Sequence, residues 1–127
     1  MLAALVAAAP AHAQVLINKK KVHLNVVATA YNGTHTQTDG DPHIGAWGDR
    51  IDLVKDARVI AVSPDLIRRG LTRGQRVKIH GYAGEFVVLD KMPRRWKNHI
   101  DIFMGKDIRA ARHFGRRHVK LSFIPGR

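Results

Sequence analysis

Apolar and polar residues alternate in six short stretches of the chain, each bounded by glycine, proline, asparagine or aspartate. The stretches run from Val22 to Tyr31, Arg58 to Val62, Gln75 to Tyr82, Phe86 to Asp90, Ile100 to Met104 and Arg117 to Phe123. A period of two predicts strands with one buried face, and on that face fall Val26, Val62, Val77, Ile79, Val88, Ile102, Val119 and Leu121, the expected core. Two helical signals interrupt the strands. Ser63-Pro64-Asp65 reads as a turn capping a short segment, Leu66 to Arg69, that Gly70 and Gly74 stop. Lys106 to Phe114 reads as a second helix with Ile108, Ala111 and Phe114 inward and Gly115 just past its end. Six short strands and a late helix predict a mainly β fold, a small closed barrel.

Residues 32 to 56 carry no such pattern and are rich in glycine, aspartate, histidine and threonine, so they are expected to form a long, functional loop. Asp39, Asp41 and His43 lie in it, but their spacing matches neither a complete calcium loop nor a zinc pattern. No metal or other cofactor is expected.

At 127 residues the chain holds one domain. Its start differs from the rest. Leu2 to Pro10 is apolar and alanine-rich and is followed by Ala11-His12-Ala13, a small-x-small triplet of the kind signal peptidase cleaves. Residues 1 to 13 are therefore expected to be a signal peptide, shortened at its start because no lysine or arginine precedes Lys19. Residues 14 to 21 are expected to be a basic linker and 22 to 127 the folded domain, in a periplasmic or secreted protein. There is no cysteine, so the fold must hold by packing alone. The net charge of +12 favours polyanionic partners, and for an exported protein those are anionic wall polymers or membrane surfaces. If residues 1 to 13 are no signal, a basic nucleic-acid-binding barrel is the competing reading.

Candidate chemistry concentrates in residues 85 to 104. Phe86 to Leu89 delivers Asp90, and alternation in Ile100-Asp101-Ile102 turns Asp101 away from its isoleucine neighbours, toward a groove or solvent. Two carboxylates on neighbouring strands raise each other's proton affinity, as a general acid at neutral pH requires. The plainer alternative is a solvated hairpin with two surface aspartates. Between them Lys91-Met92-Pro93-Arg94-Arg95-Trp96-Lys97 forms a basic loop, whose Trp96, like Trp47, suits stacking on a sugar face.

Val27-Ala28-Thr29-Ala30-Tyr31, Ile60-Ala61-Val62-Ser63-Pro64, Val87-Val88-Leu89-Asp90, Ile100-Asp101-Ile102-Phe103-Met104-Gly105 and Phe114-Gly115-Arg116-Arg117-His118-Val119 occur in the order of the 3D domain, which is named for three aspartates. From about residue 25 to 123 the chain resembles that domain, itself similar to the catalytic barrel of MltA-type lytic transglycosylases. The resemblance implies a six-stranded double-psi β-barrel with one or two short helices. It matches Asp90 and Asp101 to two of the three aspartates. The family's first aspartate falls on Ser63, with Asp65 two residues on, and the family's glycine-rich loop is replaced by residues 91 to 97.

What the resemblance implies about activity is lytic cleavage of the bond between N-acetylmuramic acid and N-acetylglucosamine. Asp101 would protonate the leaving oxygen and then take the proton of the sugar's own 6-hydroxyl, closing a 1,6-anhydro ring, with Asp90 as its partner. Thr29, Tyr31, Ser63, Asp65, Arg94, Arg95 and Trp96 are the expected substrate-binding residues. Peptidoglycan glycan strands are the expected partner, with no nucleic acid, no membrane insertion and a monomeric protein. The alternative, motivated by Ser63 and the altered loop, is a non-catalytic wall-binding module on the same barrel.

Overall fold

A computed structural model describes residues 20–33 and 41–127. The expected signal peptide, most of the linker and Asp39 lie outside the described residues. Among the described residues six strands form: β1 (Val22–Tyr31), β2 (Arg58–Val62), β3 (Arg76–Ile79), β4 (Phe86–Lys91), β5 (His99–Phe103) and β6 (Arg117–Phe123). Two short helices accompany them, α1 (Pro64–Arg68) and α2 (Ile108–Phe114). The strands hydrogen-bond in the order β1-β5-β2-β4-β3-β6, and β6 returns to β1, so the single sheet closes into a ring. A closed ring leaves no edge strand to template aggregation. Two of the pairings, β1 with β5 and β2 with β4, are parallel, and the other contacts are antiparallel.

The eight residues expected inside are all there: each is at most 9% exposed and belongs to one cluster with Leu24, Ala28, Ile60, Phe86, Ile100 and Phe123. Full burial of each such valine, leucine or isoleucine contributes ~1.5–3 kcal/mol. Polar partners of the alternation therefore face outward, Thr29 and Tyr31 on β1 and Asp101 on β5 among them. A smaller cluster of Ile51, Val59 and Val87, with Leu89 and Phe103 packed on it, lies on that outer side and seats the 41–57 segment.

Three expectations need correction. The third strand stops at Ile79, because Tyr82 N–H donates to the Ile79 carbonyl in a turn. Ile108 is 37% exposed rather than inward: α2 is two turns long, capped by the Asp107 carboxylate on Ala110 N–H, and reaches the core through Phe114. The loop after β1 is not featureless, since Ile44 and Arg50 bridge and Ile51–Leu53 make a 3₁₀ turn with Ile51 buried.

Candidate functional site

Register brings the candidate side chains into one line. Thr29 on β1 lies opposite Asp101 on β5, Asp101 opposite Ala61 on β2, and Ala61 opposite Asp90 on β4. Residues in register across a sheet share a face, so these four form a row on the outside of the ring. Ala61, with only a methyl group, leaves a shallow floor between the two carboxylates. A register shift in the β2·β4 pairing between Ile60 and Ala61 marks an irregularity in β4, and it lets Asp90 join the row although Val88 points inward.

The two aspartates have different surroundings. Asp90 accepts from the Tyr31 hydroxyl at 2.9 Å, from Ala46 N–H at 2.8 Å and from its neighbour Lys91 N–H at 2.9 Å. It therefore ties β1 and the 41–50 loop to the end of β4. Burial first, and then the charge of Asp90, holds the Tyr31 phenol well above its usual range, so Tyr31 stays a protonated donor. The loop comes this close because residue 45 is glycine: a Cβ there would collide with the Leu89 carbonyl oxygen. Its far side is held by the Arg73 guanidinium, which grips Asp49 through two hydrogen bonds of 2.9 and 2.7 Å.

The Asp101 carboxylate, by contrast, accepts a single hydrogen bond among the described residues, from the Thr29 hydroxyl to Oδ1 at 3.0 Å. Burial pushes its carboxyl up from 3.8 to about 6; the Thr29 bond opposes that rise and the nearby Asp90 adds to it. Like charge from Asp90 is the smaller cause of this elevation. Desolvation is the larger one.

Thr29 also contacts His99 Nε2 at 2.9 Å, and the His99 ring, 2% exposed, packs under Trp96 with ring centroids 4.8 Å apart. Burial, then the charge of Arg116, lowers the His99 pKa, so the imidazole is neutral at pH 7. Nothing in the local sequence pattern singles out His99. A strand begun one residue earlier would have placed it two positions before Asp101, on the same face.

Two expected substrate contacts are committed elsewhere. Ser63 is fully buried; its Oγ accepts from His99 N–H at 3.0 Å and its own N–H donates to the His99 carbonyl at 2.9 Å, so no ligand reaches it. Asp65 receives Asn98 N–H on both oxygens, at 3.2 and 2.9 Å. Burial raises its carboxyl, but bonds from Ser63 and Asn98 outweigh this and hold it below the usual range. Together they fix the start of β5. Asn98 sits at φ 49°, a left-handed conformation that asparagine tolerates, and donates from its side chain to the Asn25 carbonyl at 3.0 Å.

Arg94 and Arg95 are exposed as expected, with the Arg95 guanidinium 5.4 Å above the Trp96 ring. Trp96 is half-buried because it roofs His99. Trp47 packs against the main core and lies 5.4 Å below the Lys91 ammonium. In the weighed metal cluster, Asp41 accepts from His43 N–H at 2.9 Å and His43 faces Asp52 at 3.8 Å. No group of three potential metal ligands occurs among the described residues, and none of their helices is long and apolar enough to cross a membrane.

No sequence-family profile and no curated protein matches the chain. Among solved structures it is similar to an expansin of Clavibacter michiganensis in its apo form, at a TM-score of 0.56 and 18% identity, over 84% of this chain and 52% of that one. It is also similar to an aspartate-to-asparagine variant of that expansin in complex with cellohexaose, at a TM-score of 0.50 and 17% identity, over 84% and 51% of the two chains. The chain thus spans about half the length of these expansins, and at such identities the likeness is one of fold.

Proposed function

We propose that this is an exported cell-wall protein of the 3D-domain type, a double-psi β-barrel that binds the glycan strands of peptidoglycan along the row Thr29, Asp101, Ala61 and Asp90. The observation that carries the reading is the pairing of a three-fold-bonded Asp90 with a partly buried, singly bonded Asp101 on one outward face. Such a face offers fixed polar groups and a small floor to a sugar ring, the make-up of a carbohydrate site. Two parallel pairings in a closed six-stranded ring accord with the double-psi class. The similar expansin fold crystallised with cellohexaose supports a polysaccharide as the ligand class. Arg94 and Arg95 beside the row would meet the carboxylates of stem peptides, and a monomer suffices for every contact named.

One observation favours a second reading, lytic transglycosylase-type cleavage. A carboxyl raised to about 6 is protonated often enough near neutrality to donate to a leaving oxygen and then to accept the proton of the 6-hydroxyl. Asp101 would be that single acid and base. Asp90, saturated by Tyr31, Ala46 and Lys91, would position and not transfer protons.

Incubation with purified sacculi separates the two. Co-sedimentation that weakens at least tenfold in Asp101→Asn, with an unchanged muropeptide profile, is the result for a binding module. Release of 1,6-anhydro products that disappears in Asp101→Asn establishes cleavage. Failure of the unmutated protein to bind sacculi contradicts both.

A further inference from the structure

Thr29 Oγ1 has one hydrogen to give and is held between two partners, Asp101 Oδ1 at 3.0 Å and His99 Nε2 at 2.9 Å. An ionised Asp101 only accepts, so the Thr29 hydrogen points to Oδ1, and the bond to His99 then requires a hydrogen on Nε2. The reverse polarity needs Asp101 to donate to Thr29 and Thr29 to donate to a bare Nε2. The imidazole tautomer therefore decides the direction of the whole chain.

We infer that His99 is a positioning residue for this site: its Nε2–H fixes Thr29 as a donor to Asp101 Oδ1, so that when Asp101 takes up a proton, the proton sits on Oδ2 and faces the groove. Oδ2 accepts no hydrogen bond among the described residues, so it is the oxygen whose bonding capacity is left for a ligand or water to meet. A protonated Oδ2 offers a sugar oxygen a donor; an ionised one offers an acceptor. The groove thereby changes its hydrogen-bonding character with pH, and His99 ensures that the change is felt by the ligand and not by Thr29.

Three features keep His99 in this role. Its backbone N–H and C=O are both bonded to Ser63, which sets the ring's position on β5. Trp96 covers the ring and excludes water. Arg116 disfavours the imidazolium. The other titratable groups facing Asp101 are Asp90 from β4 and Tyr31 from β1, and both are engaged with each other at 2.9 Å. The inference rests on Asp101 as the ligand-facing group of the proposed function, but its primary test uses no ligand.

In the unmutated protein, imidazole ¹⁵N shifts are expected to show His99 as the Nε2–H tautomer, and the Nδ1–H tautomer would overturn the inference outright. The Asp101 carboxyl is then titrated by ¹³C NMR in the unmutated protein, in His99→Phe and in His99→Gln. The phenylalanine fills the space under Trp96 but cannot donate, which frees Thr29 to rotate and should move the Asp101 midpoint upward by about half a unit to one unit. Glutamine restores an N–H donor and should bring the midpoint back. A midpoint unchanged in a folded His99→Phe, or raised equally in both variants, would show that His99 only fills space. If His99→Phe does not fold, the tautomer measurement alone decides. Should sacculus binding fail while the tautomer and titration behave as expected, the positioning role stands and the glycan reading falls.

Discussion

Asp101 pays the desolvation cost of its own burial, and that makes its effect on stability depend on pH in a direction opposite to most aspartates. Its folded-state value is about 6 against 3.8 for the free side chain, so the folded protein holds the proton more tightly. Stability is therefore highest below pH 3.8 as far as this group is concerned, falls as pH rises through the interval to about 6, and stays reduced above it. A shift of two units sets a ceiling of about 3 kcal/mol, lessened by the group's partial exposure. Asp101→Asn should consequently be more stable than the unmutated protein at pH 8, by about 1–2 kcal/mol, and no different at pH 4, in urea unfolding at the two values. Tyr31→Phe acts oppositely: it removes the hydroxyl donor from Asp90 while keeping the ring in its tilted contact with Phe103 at 5.3 Å, and should cost about 1–2 kcal/mol near neutral pH by the same measurement.

Single backbone positions govern how the elements meet at the site. Gly45 lets the 41–50 loop press on β4, so Gly45→Ala should cost about 1–3 kcal/mol and, by lifting Ala46 N–H from Asp90, speed amide exchange at Ala46. Asn98 does the same for β5. Its left-handed φ of 49° suits asparagine or glycine, so Asn98→Gly should be tolerated within about 1 kcal/mol, while Asn98→Val, β-branched at positive φ, should cost about 2 kcal/mol and disorder His99. Thermal unfolding with the His99 ring resonances as a local probe distinguishes the two. These features also mark where the sequence stopped being legible. Alternation found the strands and all eight core positions because burial of one face is a local, periodic demand. It overran at Tyr82 and misplaced Ile108, where a turn and a two-turn helix leave too few residues for a period to assert itself. It identified Asp90 and Asp101 but not their partners, since Ala46 meets Asp90 across 44 residues, and Asn98 hid the true start of β5 in an apparently basic loop. Ser63 stands at an expected family position with Asp65 two residues on, yet they accept hydrogen bonds from the backbone of residues 99 and 98.

Across the whole molecule, the row of candidate side chains and a set of outward basic residues lie on different strands of the ring, while Arg94, Arg95 and Lys97 carry the basic surface into the loop before β5. The row of Thr29, Asp101, Ala61 and Asp90 lies on β1, β5, β2 and β4, whereas the outward residues of β3 and β6 include Arg76, Lys78, His118 and Lys120, with His80 just past the end of β3. Under the proposed function, the charge of +12 would supply general attraction to an acidic wall, screened within about 8 Å at physiological ionic strength, while the row would supply discrimination. Titration of the ¹⁵N-labelled protein with soluble, uncrosslinked glycan chains at 0.3 M salt tests this division most directly. The account predicts saturable amide shifts centred on Thr29, Ala61, Asp90, His99 and Asp101, lost in Asp101→Asn. Shifts confined to Lys78, His80, Lys120 and their neighbours, and abolished by the salt, would contradict it.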